Sequence, residues 1–207
     1  RMNITPHIKY VTEKSKNLFA GFVKLAREHW GLDTKIIRTI YTGLVIPILC
    51  YAAAGWYERI NAHRDRKLKS AQRQALFAIT GAYRTTSNDA LAVLAAEIPT
   101  KCKLIGRKAH CNIKRSTEVK VGEFHFCPTP ATQDKRQTNI TKQRLREEII
   151  DMWQKEWEET NKIRITYRFF LNIRKRIENN EIRIDHNTAQ IITGHGQQFN
   201  LTTHSTG

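Results

Sequence analysis

The sequence predicts a mainly α protein. A basic helical bundle over residues 1–116 is followed by a linker over 117–138 and a second small helical segment over 139–207. Three observations predict it. Apolar residues recur at three- and four-residue spacings through most of the chain, the period of a helix buried along one stripe. Glycine or proline stands between the periodic stretches, at Gly31, Pro47, Gly81, Pro99 and Gly194, where helices stop or bend. A chain of 207 residues with 40% hydrophobic content is long and apolar enough to bury a core, which excludes a disordered tail.

In chain order, Pro6 to Trp30 reads as the first helix. Pro6 suits an early helical position, Ile8, Val11, Leu18, Phe22 and Leu25 form the inward stripe, and Gly31 is the stop. Thr34 to Tyr57 carries Ile36, Ile37, Ile40, Tyr41, Leu44, Val45, Ile48 and Leu49 on one broad face. No charged residue falls between Arg38 and Glu58, so a membrane span has to be weighed. Thr39, Thr42, Gly43, Pro47 and Gly55 dilute that run, and a buried core helix is the expectation. Pro47 cannot donate to the Gly43 carbonyl, so a kink or break is expected there.

Asn61 to Thr80 is the clearest helix. Leu68, Ala71, Ala75, Leu76 and Ile79 share one side, while Arg66, Lys69 and Arg73 gather on the other. Gln72 points into the apolar arc without an evident reason. Gly81 follows as the stop, and Tyr83-Arg84-Thr85-Thr86-Ser87 reads as a polar loop whose Thr86 or Ser87 caps a helix over Asn88–Ala96. After Pro99 a basic helix runs over Thr100–Arg115. Residues 117–138, with Gly122, Pro128 and Pro130, read as linker with a short strand at Glu123–Phe126. Further helices are expected over Ile140–Thr160, with Leu145, Ile149, Met152, Trp153 and Trp157 inward, over Thr166–Asn179, and over Asp185–Thr193 ahead of Gly194.

The charge says most about function. The formal net charge is +16, from 35 Lys and Arg against 19 Asp and Glu. Residues 58–116 hold 13 Lys/Arg against 4 Asp/Glu, and residues 117–207 hold 14 against 12. A surface that only keeps a protein soluble need not concentrate charge in this way, whereas a face that holds phosphates does. The candidate nucleic-acid-binding residues are Arg66, Lys69 and Arg73 on one helix face, continued by Arg84, Thr85 and Thr86 in the capping loop.

Other chemistries find little support. The four cysteines form no C-x-x-C pair, which suits a reducing compartment and argues against a disulfide scaffold. Cys102, His110, Cys111, His125 and Cys127 are zinc-type residues at spacings that match neither finger nor knuckle, so no metal site is assigned. The carboxylates Glu147, Glu148, Asp151, Glu156, Glu158 and Glu159 alternate with Lys142, Arg144, Arg146 and Lys155, the pattern of an ion-paired, solvated helix. No phosphate-binding glycine loop, metalloprotease motif or nucleophile elbow occurs, His195 between Gly194 and Gly196 reads as a turn residue, and no catalytic residue is assigned. With no signal peptide visible, an intracellular setting in nucleus and cytoplasm is expected.

Leu44-Val45-Ile46-Pro47-Ile48-Leu49-Cys50-Tyr51, Gln72-Arg73-Gln74-Ala75-Leu76 and above all Thr80-Gly81-Ala82-Tyr83-Arg84-Thr85-Thr86-Ser87 resemble a known family. It is the region just after the palm in reverse transcriptases of arthropod non-LTR (LINE-type) retrotransposons. Met152-Trp153-Gln154-Lys155-Glu156-Trp157 and Thr193-Gly194-His195-Gly196 resemble the segment those proteins place before a C-terminal zinc knuckle. A family position often held by Trp is Ile165 here, and the stretch after Pro99 matches poorly. The resemblance implies a thumb that grips RNA or an RNA–DNA template–primer duplex, in contact with the rest of the parent polymerase chain. It implies an RNA-directed DNA polymerase as parent, with magnesium on palm aspartates that have no counterpart here. No cofactor, membrane or small-molecule substrate is expected for this stretch itself. The alternative expectation is a non-catalytic structural or protein-interaction module derived from a mobile element.

Overall fold

The structure is a computed structural model that describes residues 4–29, 33–128, 135–160, 164–179 and 184–194. It is mainly α. Helix α1 (Thr5–His29) buries Ile8, Val11, Thr12, Ser15, Phe19 and Val23, and Ile4 just ahead of it is buried too. That stripe advances by four residues at most steps, so it winds around the helix. Phe22 and Leu25, expected inside, are therefore exposed, and Leu18 is half-buried. The expected stop at Gly31 lies outside the described residues.

The apolar run divides into α2 (Thr34–Ile40), a π-helical turn over Tyr41–Val45, α3 (Ile46–Leu49) and α4 (Ala53–Trp56). Asp33 caps α2, its carboxylate accepting from the Lys35 N–H at 2.9 Å. The disturbance expected at Pro47 takes the form of the π turn directly ahead of it. Proline offers no N–H and its ring crowds the carbonyl four residues back. The wider turn shifts the hydrogen bonds by one residue, so the Ile46 N–H reaches the Tyr41 carbonyl. The break comes later, at Ala52, whose φ of 52° is left-handed, and the two halves of the run meet at 42°. Among the described residues no single helix is long and apolar enough to cross a membrane. Ile37, Tyr41, Val45, Leu49, Ala53 and Trp56 are buried in the protein core.

Helix α5 (Ala62–Thr80) packs against α1, α2, α6 (Asn88–Leu94) and α7 (Thr100–Lys114). Asn61 caps its start and Gly81, at φ 62°, ends it. The arc of Leu68, Ala71, Ala75, Leu76 and Ile79 is buried as its spacing requires. Gln72, on the same arc, is the polar hub that joins the π turn, α5 and the start of α7 through its hydrogen bonds to Tyr41, Ile98 and Thr100. Beside it the buried Glu97 is held between Arg38 at 3.0 Å and Lys103 at 2.8 Å.

Strands β1 (Val119–Val121) and β2 (Phe124–Phe126) form an antiparallel hairpin with Val119 opposite Phe126 and Lys120 opposite His125. It lies within the stretch expected as linker, and the strand expected there gains a partner. Gly122 opens the two-residue turn at φ 55°, and a side chain there would run into the Glu148 carboxylate, which accepts from the Glu123 N–H at 2.9 Å. Val119 and Phe126 are buried.

Helix α8 (Lys135–Glu158) buries Leu145, Ile149, Trp153 and Trp157, as the four-residue spacing requires. The single helix expected over Thr166–Asn179 is instead two, α9 (Arg164–Phe169) and α10 (Ile173–Glu178). The interruption has two causes. The Phe170 carbonyl turns to the Trp157 indole N–H at 2.7 Å, and Asn172 caps α10 through the Lys175 N–H at 2.9 Å. Helix α11 (His186–Thr193) is capped by Asp185 and ended by Gly194 at φ 77°. One hydrophobic cluster runs from Ile4 through Val119 and Phe126 to Trp157 and Ile173. A smaller one gathers Leu94, Ile184, Ala189 and Ile192.

Candidate nucleic-acid interface

The six residues singled out by sequence sit on the outer face of α5 and in the loop that follows it, and the structure gives them different roles. Arg66 and Arg84 are exposed, and among the described residues neither side chain has a hydrogen bond or ion pair. Lys69 is half-exposed and paired with Asp65 one turn earlier at 2.8 Å. A partly exposed pair one helical turn apart contributes little to stability, so Lys69 can exchange its partner for a phosphate at small cost.

Arg73 is committed within the protein. Its guanidinium donates to the Asn88 side-chain oxygen at 2.6 Å and to the Arg84 carbonyl at 2.5 Å, and lies 4.5 Å from the centre of the Phe77 ring. The rigid fork of arginine suits this double contact, which fastens the loop to α5 and to the first turn of α6. Partial burial pulls its pKa below the ordinary guanidinium value. The group still carries its charge at neutral pH.

In the loop, Ser87 and not Thr86 caps α6, accepting from the Ala90 N–H at 3.1 Å. Thr85 is exposed. Thr86 is 3% exposed, its N–H closing a turn to the Tyr83 carbonyl, so its hydroxyl is turned away from any outer ligand. The loop is backed from behind by α11. The His186 ring nitrogen bonds the Gly81 carbonyl at 2.5 Å and the ring meets Tyr83 edge-on at 5.4 Å. The sequence offered no hint of this, since His186 lies 105 residues further on. Lys24 of α1 was missed for the same reason. It lines, with Phe19, Val23, Phe77 and Arg84, an open cleft of about 590 Å³ between α1 and α5.

The ion pairs of α8 among the described residues reach other elements, Glu156 pairing with Lys101 at 2.6 Å and Asp151 with Arg174 at 2.9 Å, while Glu158 accepts along the helix from Gln154 at 2.7 Å. Cys102 is buried, and His110 and Cys111 are half-buried on α7. His125 and Cys127 come together on the hairpin, with Glu118 beside them. His195 lies outside the described residues.

No family profile matches the chain, and no solved structure matches it. Curated relatives do. It is 36% identical over 196 residues to a "Retrovirus-related Pol polyprotein from type-1 retrotransposable element R1 4" of Nasonia vitripennis, which covers 94% of this chain and 48% of that protein. It is 26% identical to an R1 Pol polyprotein of Bradysia coprophila, over 95% of this chain and 19% of that one. It is 28% identical to the "Putative 115 kDa protein in type-1 retrotransposable element R1DM" of Drosophila melanogaster, over 98% of this chain and 20% of that one. The chain thus spans about half the length of the first relative and about a fifth of the other two. A mainly α chain that aligns over nearly its whole length with these proteins is homologous to a region of the Pol polyproteins of arthropod R1 non-LTR retrotransposons.

Proposed function

We propose that this chain is the thumb and following segment of a retrotransposon reverse transcriptase, and that it holds RNA or an RNA–DNA template–primer duplex by its phosphates. The observation that carries the reading is the pairing state of the cations around the α5–α6 loop. Among the described residues the Arg66 and Arg84 side chains are exposed without a hydrogen bond or ion pair, Lys69 shares the half-buried Asp65 carboxylate, and Arg73 holds the loop that presents Arg84. Point charges of this kind position a duplex without reading its bases. In this reading, RNA-directed DNA synthesis on magnesium belongs to the rest of the parent polymerase chain, this stretch's partner. The stretch itself supplies grip and no catalytic group, and it acts in the nucleus and cytoplasm.

The test is equilibrium binding of the purified chain to an RNA–DNA hybrid, and to one of scrambled sequence, at several salt concentrations. Log affinity is expected to fall linearly with log salt, equally for both sequences. Absence of binding, or binding indifferent to salt, overturns the reading. A second reading, a protein-interaction module, draws on the outer face of α1, where Tyr10, Phe22 and Leu25 are 44–58% exposed. Salt-indifferent association with the rest of the polymerase, unaffected by hybrid, favours it.

A further inference from the structure

The hairpin between α7 and α8 carries a cluster that the interface does not use. Cross-strand neighbours in an antiparallel ladder point to the same side, and so do residues two apart on one strand. Val119 opposite Phe126 faces the core, so Lys120 opposite His125 faces out. Carried one pair further, the register sets Glu118 opposite Cys127, also facing out. Glu118, His125 and Cys127 are all exposed, and their ligating atoms lie within 4.8 Å of one another. His125 Nε2 stands 2.7 Å from Glu118 Oε1 and 3.7 Å from Cys127 Sγ.

We propose that Glu118, His125 and Cys127 bind one zinc ion, with a water in the fourth position. A tetrahedral zinc, at about 2.3 Å from sulfur and about 2.05 Å from nitrogen, holds those two ligands about 3.6 Å apart. The Cys127 sulfur and His125 nitrogen already stand at nearly that separation. The nitrogen–oxygen edge of such a site is about 3.3 Å, so the exposed Glu118 carboxylate has to draw back by about half an ångström. Thiolate, imidazole and carboxylate are the donors that zinc takes, and a thiolate with a carboxylate balances its charge. Binding releases the Cys127 thiol proton to solvent. Lys120, on the same face opposite His125, opposes the ion. The separations in sequence resemble no zinc motif because the third ligand arrives across the ladder. A bound ion ties the open end of the hairpin, where Val119 and Phe126 enter the core.

The test uses the full chain, reduced with a phosphine, and titrates it with zinc against a chromophoric chelator. One zinc per chain is expected. His125→Ala and Cys127→Ser should each weaken binding at least about tenfold, Glu118→Gln less, and Lys120→Ala should tighten it. Cobalt(II) in place of zinc should give a thiolate-to-metal band that Cys127→Ser removes and Cys111→Ser keeps. Zinc should raise the unfolding temperature of the wild type and leave that of Cys127→Ser unchanged. The variants change exposed residues, and far-ultraviolet circular dichroism of the metal-free proteins checks that they fold. Zinc held equally by wild type and the His125 and Cys127 variants, or no zinc held by the wild type, overturns the assignment.

Discussion

The side-chain oxygen of Gln72 accepts both the backbone N–H of Thr100, at 2.8 Å, and the Thr100 hydroxyl, at 2.7 Å. The amide nitrogen of the same glutamine donates to the Tyr41 hydroxyl at 2.9 Å and the Ile98 carbonyl at 3.0 Å. All four hydrogen-bonding positions of a buried amide are thereby filled. The contact secures the first turn of α7, where Pro99 leaves the helix without a capping side chain. Tyr41 has its pKa raised well above the ordinary value, by burial first and by Glu97 second, and the hydrogen bond donated by Gln72 offsets part of that rise. Gln72→Leu keeps the volume and strands the Thr100 N–H and the Ile98 carbonyl in the core. It is expected to lower stability by about 3 kcal/mol in urea unfolding. A loss under half that size would mean that α7 is held by its packing alone.

Much of this fold was legible, and the part that was not has physical reasons. Caps at Asn61, Ser87 and Asp185 and stops at Gly81 and Gly194 announce themselves by residue type. The left-handed stops at Ala52, Ala96 and Ser116 do not, because alanine and serine rarely take that conformation. The basic stripe on α5 followed from periodicity. That Arg73 is spent on the loop depended on Asn88, and that Glu118 joins His125 depended on the strand register, neither of which a local pattern encodes.

Ser116 makes such a hidden stop testable. It stands at φ 51° after α7, while the Thr117 N–H bonds the Asn112 carbonyl at 2.9 Å, the hydrogen bond of a glycine-type helix end. Ser116 is exposed, so Ser116→Gly removes the left-handed penalty without opening a cavity. A gain of about 0.5–1 kcal/mol is expected, part of the left-handed cost being offset by the freer unfolded chain. A loss in chemical denaturation would show that the serine side chain matters to the cap.

The cysteines should separate by reactivity. Cys127 is exposed and Cys111 half-buried, whereas burial pushes Cys50 up to about 11 and Cys102 up to about 12. Under native conditions at neutral pH, a thiol reagent should label Cys127 first, then Cys111, and should reach Cys50 and Cys102 only on unfolding. The same shifts fix a pH dependence. A thiol whose folded pKa is raised contributes stability that is fully present below the unfolded value of 9.0 and is lost as pH rises toward the folded value. Stability should therefore fall faster between pH 8 and 10 in the wild type than in Cys50→Ala, each compared with its own value at pH 8. Equal slopes, or four thiols labelled at one rate in the folded protein, would contradict the buried assignment.

Arg66, Lys69 and Arg84 are the cations of the α5 face and its loop that can be replaced together without loosening the fold. Arg73 is left intact, because replacing it frees the loop and mixes folding with binding. Each phosphate contact with a duplex contributes about 0.9 to the slope of log affinity against log salt. Changing the three residues to Gln should thus flatten the slope by between about two and three units if each meets a phosphate, and by the same amount for unrelated sequences. Unfolding of the triple variant should stay within about 0.5 kcal/mol of the wild type, since none of the three is buried and, among the described residues, only Lys69 of the three has an ion pair. Arg73→Gln should behave in the opposite way. It gives up two hydrogen bonds and the Phe77 stacking, and should lose on the order of 1–2 kcal/mol of stability. If the triple variant keeps the wild-type slope while remaining folded, the α5 face does not touch the duplex. The outer face of α1, with Tyr10, Phe22 and Leu25, then becomes the surface to mutate next.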